Sequence, residues 1–258
     1  MGVPHNDLQK AKLEALELAV SGNAAVSSTG VAIMLPSFGE TDLPAGARPI
    51  SEIAMDDDPS PEFMSVLAYL YSRGKCVAEN WDYHWSPDKR HNMDHRVIIP
   101  FRWNRKIVGW TARYAGKPPG TAPRYFNSEL DSGYLFNADQ LSYGNRKFVL
   151  INEGPFDAIA TDGIGTLGSK LSPSQIAWLN LSDRIKIVVP DRETKNQALI
   201  DIALEQGWSV SFPDWERGVK DAAKAAELYG RLYTIQSILA TRTSNRTEIA
   251  IKRQLFKG

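Results

Sequence analysis

The sequence predicts an α/β protein whose later part is built on a central parallel sheet, preceded by a smaller, basic region of mixed α+β character. Three observations carry this. From Lys147 onward, short apolar runs alternate with segments of helical spacing, the order that a parallel sheet with right-handed crossovers requires. Between Gly74 and Lys147 the apolar runs are short and flanked by lysine and arginine. Two of the later apolar runs end on acids, Glu153 in one case and Asp191 in the other, as strands do when they open onto a functional edge. The 258 residues suffice for one large domain or two smaller ones, and the composition is that of an ordinary soluble protein.

Residues 7–20 carry Leu8, Leu13, Leu16 and Val20 at helical spacing, with Lys10, Lys12, Glu14 and Glu17 between them, and predict an amphipathic packing helix. Residues 35–61 hold Pro36, Pro44, Pro49, Pro59 and Pro61 and the run Asp56-Asp57-Asp58, and predict a linker or extended surface arm. The acidic run reads as a solvated loop, because adjacent residues in flexible chain rarely converge on one ion. A helix over 62–73 turns Phe63, Val66, Leu67 and Leu70 inward and ends at Gly74. Strand-like runs at 96–101 and 106–113 and a loop at 123–128 make up the basic region. The strand through Leu150 then leads into a helix opened by Pro155, whose missing N–H costs nothing at a first helical position. After the short run 165–168, Ser172-Pro173-Ser174-Gln175 forms a capping box that opens a helix through Leu181. A strand into Asp191, a helix near 197–205 ended by Gly207, and a last strand over 208–212 complete the sheet. The boundaries are 1–61 for the N-terminal helix and arm, 62–146 for the basic subdomain, 147–226 for the parallel-sheet domain and 227–258 for a helical tail. In that tail Leu232, Ile235, Ile238 and Leu239 form an apolar stripe ahead of Lys252-Arg253.

Lysine plus arginine number 30 and balance 30 aspartates plus glutamates, so net charge gives no warrant for a nucleic-acid partner. Distribution is more telling: Lys89, Arg90, Arg96, Arg102, Arg105, Lys106, Arg113, Lys117 and Arg124 stand against a single acid, Asp94, and are interleaved with Trp103, Trp110, Tyr114 and Tyr125. Such a block suits a surface that follows a phosphate backbone and stacks bases. On charge alone a solvated, positive sheet face fits equally well. With Cys76 as the single cysteine, neither an intrachain disulfide nor a thiolate zinc ribbon can form within the sequence. His91 and His95 share helical spacing but lie in a basic, turn-rich stretch that favours surface or nucleic-acid contact over metal ligation. No apolar run is long enough to cross a bilayer and the polar start is not a signal peptide, so no membrane is expected and the expected compartment is the cytoplasm.

In a parallel sheet, residues just past the carboxyl ends of neighbouring strands converge, so Glu153, Asp191 and Glu193 are expected to meet. Acids gathered in this way repel unless a cation sits among them, and hard oxygen donors suit Mg2+ or Mn2+, the usual partners of phosphate chemistry.

Glu153-Gly154-Pro155-Phe156-Asp157-Ala158, followed by Asp191-Arg192-Glu193 and then Lys220-Asp221, resembles the three acidic elements of the TOPRIM fold of primases, topoisomerases and some nucleases. Upstream, residues 96–100, 107–110 with Arg113, and Pro123-Arg124-Tyr125-Phe126-Asn127-Ser128 resemble the amino-terminal subdomain of the bacterial and phage DNA primase catalytic core, a phage-encoded primase above all. The resemblance runs from about Phe63 to Tyr229. It implies template-directed synthesis of short RNA primers on single-stranded DNA from ribonucleoside triphosphates. In these roles it casts Glu153, Asp191 and Glu193 as catalytic, the same residues with Asp221 as ligands of Mg2+ or Mn2+, and Arg96, Arg113, Lys117, Arg124, Tyr125, Asn127 and Lys220 as contacts to nucleic acid or nucleotide. Asp157, inside the first helix, is cast as fixing the turn. The chain departs from the pattern where Glu193 stands in place of an aspartate and Asn196 in place of a glycine. A zinc-binding domain and a helicase-binding part are not recognisable, so a separate zinc-binding or initiation protein and a replicative helicase are implied as possible partners. A metal-dependent nuclease and a non-catalytic nucleic-acid-binding accessory protein are the alternatives.

Overall fold

The computed structural model describes residues 38–142, 145–192 and 197–256, together with the backbone of a short antiparallel pair, β1 (Ala25–Val26) and β2 (Ala32–Ile33). The helix expected over 7–20, and Glu193 and Asn196, lie outside the described residues.

The first sheet is antiparallel. Its strands are β3 (Arg48–Pro49), β4 (His84–Trp85), β5 (Arg96–Trp103), β6 (Lys106–Tyr114) and β7 (Tyr125–Asn127), lying side by side in that order. Asn104 and Arg105, both at positive φ, make the two-residue turn that joins β5 to β6, where the twist of paired strands favours left-handed backbone. Among the described residues, the α-helical segments α1 (Ile50–Ile53), α2 (Pro61–Tyr71) and α3 (Lys75–Ala78) precede this hairpin. Helix α2 starts where Ser60 accepts a hydrogen bond from the Phe63 amide, a cap that contributes about 1 kcal/mol. Its buried Phe63, Val66 and Leu70 share a core with Val97, Ile99 and Phe101 of β5.

The second sheet contains β8 (Phe148–Asn152), β9 (Ile164–Gly165), β10 (Ile185–Val188), β11 (Ser209–Ser211) and β12 (Arg242–Thr243), in the order β12-β11-β10-β8-β9. All neighbours are parallel except β11 and β12. Helices α4 (Pro155–Thr161), α5 (Pro173–Leu181), α6 (Ala198–Gln206), α7 (Ala222–Tyr229), α8 (Arg231–Thr241) and α9 (Arg246–Leu255) connect and cover it. Side chains alternate in direction along each strand: Val149, Ile151, Val188 and Val210 join a core with Trp178 of α5 and Leu199, Ile200 and Ala203 of α6. Leu150, Ile187 and Val189 face the other way, onto Trp215, Ala222, Ala225 and Ile238. Cover on both faces is the normal condition of a parallel sheet and explains why the central strands β8 and β10 are largely apolar. The capping box at α5 is present in both directions, and Gln175 also donates to the Tyr134 carbonyl at 2.6 Å, tying α5 to the segment that precedes the sheet.

Residues 38–61 differ from a free arm. Phe38 packs against Trp103, Tyr134 and Trp178, β3 pairs with β4, and Ile50 and Ile53 are buried. Proline density marks irregular backbone but carries no information on whether apolar side chains beside it find a core. Asp56, Asp57 and Asp58 are exposed as expected, with Asp56 paired to Arg48 at 3.0 Å. In the tail, Ile238 is buried with Ile235 and Leu239 packed beside it, whereas Leu232, in the first turn of α8, is 85% exposed.

Candidate functional site

Glu153 follows β8 directly and Asp191 lies just beyond β10, and the two strands are adjacent, with Val188 opposite Ile151. The Val189 amide donates to the Ile151 carbonyl at 2.9 Å, so the strands stay together up to the acids. Asp157 occupies the first turn of α4, and its Oδ1 accepts from the Ala223 amide at 2.9 Å, at the start of α7. Asp221 caps α7 by accepting from the Lys224 amide at 2.7 Å. The Arg192 amide donates to the Lys220 carbonyl at 2.9 Å, which joins the turn after β10 to the turn before α7. Four carboxylates from three segments therefore share one edge of the sheet. A Cβ on Gly154 would lie 3.1 Å from Asp157 Oδ2, so any larger residue there would push the carboxylate slightly aside.

Among the described residues, Lys220 and Arg73 are the cations that act on the cluster. Burial raises the Asp191 carboxyl well above the ordinary carboxylate range, Asp157, Glu153 and Asp221 push it further up, and the Lys220 ammonium opposes the shift. Burial likewise raises Asp157, with Asp221 adding to the effect and the Ala223 amide and Arg73 countering it. Arg73 was not expected from the sequence: it lies far along the chain, between α2 and α3, with its guanidinium over the Phe156 ring at 5.0 Å. Asp157, cast as fixing the turn, ties α4 to α7, and it also belongs to the cluster; its position four residues after Glu153, in the first turn of the helix that follows, was the available signal.

The donor chemistry, carboxylate oxygens gathered at one edge, fits a hard divalent ion. Glu153 and Asp191 are the residues that would hold it, since Asp157 and Asp221 each already accept from one backbone amide. Among the described residues no three acidic, histidine or cysteine side chains are arranged to hold one ion as they stand. The set is thus partial within what is described.

The basic residues divide into two groups. Arg96 is fully buried, and its guanidinium donates to the carbonyls of His91 at 2.9 Å, Ala112 at 3.1 Å, Pro123 at 2.8 Å and Arg124 at 3.3 Å, above the Tyr114 ring. This corrects its expected role: the donors are spent on backbone, and Arg96 braces the loop at 123–124 instead of meeting a phosphate. A charged residue opening an apolar strand reads as a flank, and nothing local reveals that four carbonyls will surround it. Lys117, Arg124, Tyr125 and Asn127 are exposed. The Arg113 guanidinium lies 4.6 Å from the Tyr125 ring centroid and donates to the Tyr125 hydroxyl, while Asn127 Oδ1 accepts from Thr111 at 2.6 Å. His91, at positive φ, stacks on Phe126 at 4.3 Å beside them. Lys220 is exposed at the acidic edge, apart in sequence from this strand face.

No protein-family model matches the chain, and no curated protein does. Solved structures do. The RNA polymerase domain of Mycobacterium tuberculosis primase DnaG aligns with a TM-score of 0.58 at 16% identity, over 99% of this chain and 89% of that one. The zinc-binding and RNA polymerase domains of Aquifex aeolicus primase align at 0.56 and 18% identity over 76% of this chain, which spans 62% of that structure's length. A DnaG primase catalytic domain bound to single-stranded DNA aligns at 0.56 and 16% identity, over 76% of this chain and 77% of that one. The chain shares the fold of bacterial primase catalytic cores.

Proposed function

We propose that this chain is the RNA-synthesising core of a DNA primase, that residues 147–226 form a TOPRIM domain, and that its substrates are single-stranded DNA template and ribonucleoside triphosphates. The observation that carries the proposal is the gathering of Glu153, Asp157, Asp191 and Asp221 at the carboxyl edge of a parallel sheet, within a fold shared with primase cores.

Mg2+ or Mn2+, held by Glu153 and Asp191, would neutralise charge on the reacting phosphate and on the departing pyrophosphate. Glu153 takes the proton of the primer 3′ hydroxyl. The 3′ oxygen then bonds to the α-phosphorus of the incoming nucleotide as the bond to pyrophosphate breaks. Lys220 offers its ammonium to the phosphates at the same edge. Arg113, Arg124 and Lys117 meet template or nucleotide phosphates, and Tyr125 supplies a stacking face. Asp157 holds α4 and α7 at a fixed separation, so that the acids on either side keep their spacing.

The test is incubation with single-stranded template, labelled ribonucleotides and Mg2+ or Mn2+, beside Glu153→Gln and Asp191→Asn. Short, template-dependent RNA made only by the unsubstituted chain is expected. Shortened template without RNA would replace the proposal with a nuclease. Salt-sensitive DNA binding that survives Glu153→Gln, with neither product, would replace it with the accessory role.

A further inference from the structure

The turn between α2 and α3 comes from the basic subdomain and lands on the two helices that border the acidic edge. Gly74, at φ +93°, is buried against α7: a Cβ there would lie 2.9 Å from Glu227 Cβ and 3.1 Å from Glu227 Cα, too close for any other residue unless the helix moved. Beside it, the Arg73 guanidinium covers the ring of Phe156, in the first turn of α4, at 5.0 Å, and its charge acts on Asp157, the next residue.

A second arginine meets the other end of α4. Arg231, which opens α8, donates to the carbonyls of Ile159 at 2.7 Å and Ala160 at 3.0 Å and to Asn80 Oδ1 at 3.4 Å, and Asn80 donates to the Cys76 carbonyl of α3 at 2.8 Å. Those donors serve carbonyls that a helix end leaves open, which is capping work. Arg73 is different: its Nε is buried and has no hydrogen-bond partner among the described residues. A buried donor without a partner costs stability, so bracing of backbone does not account for an arginine at this place. What its guanidinium does meet is the face of Phe156. Phe156 stands between Pro155, which opens α4, and Asp157, whose carboxylate joins α4 to α7 through the Ala223 amide.

We infer that the Arg73-Gly74 turn is a wedge that registers the basic subdomain on the seam between α4 and α7, and that Arg73 is a positioning residue, acting through Phe156 on the turn from Glu153 to Asp157. The part of the chain read as holding template and nucleotide thereby sets the place of the acids that face them. The assignment rests on reading the acidic edge as the reaction centre. Misplacing reacting groups by about 1 Å costs up to about 100-fold in rate, even when the change is made far from the chemistry.

The test uses the full chain carrying Arg73→Met, Phe156→Leu or both, with Arg73→Lys as the conservative variant and Lys75→Met, which removes an exposed cation from the neighbouring helix, as control. Amide exchange over residues 156–161 and 222–229 is measured without metal or nucleotide, single-stranded DNA binding by fluorescence anisotropy, and primer synthesis as kcat and KM for ribonucleotide. Arg73→Met is expected to speed exchange at the start of α4 and to lower kcat about 10- to 100-fold, with KM, DNA affinity and melting temperature near those of the parent. Arg73→Lys should recover most of the loss, and Phe156→Leu should reproduce part of it. The double variant should be no worse than the worse single one, because both changes act through one contact. Lys75→Met should change nothing. Unchanged exchange and kcat in Arg73→Met would overturn the assignment, and so would additive losses in the double variant. A raised KM or weakened DNA binding at unchanged kcat would replace it with a direct phosphate contact. Should Arg73→Met fail to fold, exchange and kcat unchanged in Phe156→Leu would overturn it equally. If the parent makes no RNA, the reading of the acidic edge falls, while exchange at the start of α4, faster or unchanged in Arg73→Met, still decides whether Arg73 holds that turn.

Discussion

Arg96, the most deeply buried charge of the first sheet, is met by the carbonyls of His91, Ala112, Pro123 and Arg124. Asp191 and Asp157, at the edge of the second sheet, are set among other acids, with Lys220 and Arg73 as opposing charges. Both regions take charge out of water, which is costly unless compensated. In the first, four carbonyls meet the charge and the arrangement does structural work; in the second, burial and neighbouring acids shift the carboxyls toward their protonated form. Burial alone therefore does not mark a reactive residue. Burial among like charges is what distinguishes the second region from the first.

The largest effect that separates the two is expected from Asp191→Asn. Primer synthesis should fall on the order of 10^3-fold, the scale seen when one electrostatic partner of a transition state is removed, while the metal-free protein gains stability through relief of repulsion. A loss of stability in urea denaturation would place Asp191 with the structural charges. Next, Arg96→Met should destabilise the fold by about 3 kcal/mol, because buried carbonyls lose their donors. If it instead left stability intact and weakened DNA binding, the contrast would collapse.

A smaller effect is expected from pH. Carboxyls raised in the folded state bind protons more tightly there than in the unfolded chain, so their contribution favours folding at low pH. It is lost as pH climbs from the ordinary carboxylate range through the raised values. The melting temperature in EDTA should therefore fall more steeply with rising pH for the parent than for Asp191→Asn, and Mg2+ should flatten the parent's slope. Equal slopes would show that the cluster is balanced without a cation. Arg124→Ala should weaken binding of single-stranded DNA roughly tenfold at low salt and lower the salt slope by about one, without affecting stability. Smallest of all, Asp57→Ala should change stability by less than about 0.5 kcal/mol, since exposed positions without partners rarely do more.

Much of the strand-and-helix order was legible from sequence because it depends on local signals: the capping box at Ser172, the αL glycine Gly207 after α6, and the apolar runs into Glu153 and Asp191. The positions of Glu153 and Asp191 were legible to the same depth, since both acids sit just past strand ends. What escaped depended on contacts between distant segments. Arg96 meets carbonyls up to 28 positions away, Arg73 approaches Phe156 from another sheet's helices, and Phe38 joins an aromatic cluster that proline-rich surroundings gave no hint of. Periodicity reports which face of an element is apolar, and it is silent on which other element will cover it.

The aromatic cluster has a use of its own. Trp103 comes from the first sheet and Trp178 from the helix that covers the second, and they meet edge-to-face at 4.9 Å with Phe38 against both. Two indoles so close and so differently oriented couple their electronic transitions, so the chain carries an intrinsic optical gauge of how its two sheets sit against each other. Circular dichroism in the indole bands, compared between the parent and Trp178→Phe, would report without any added label whether the two halves shift when template or nucleotide binds.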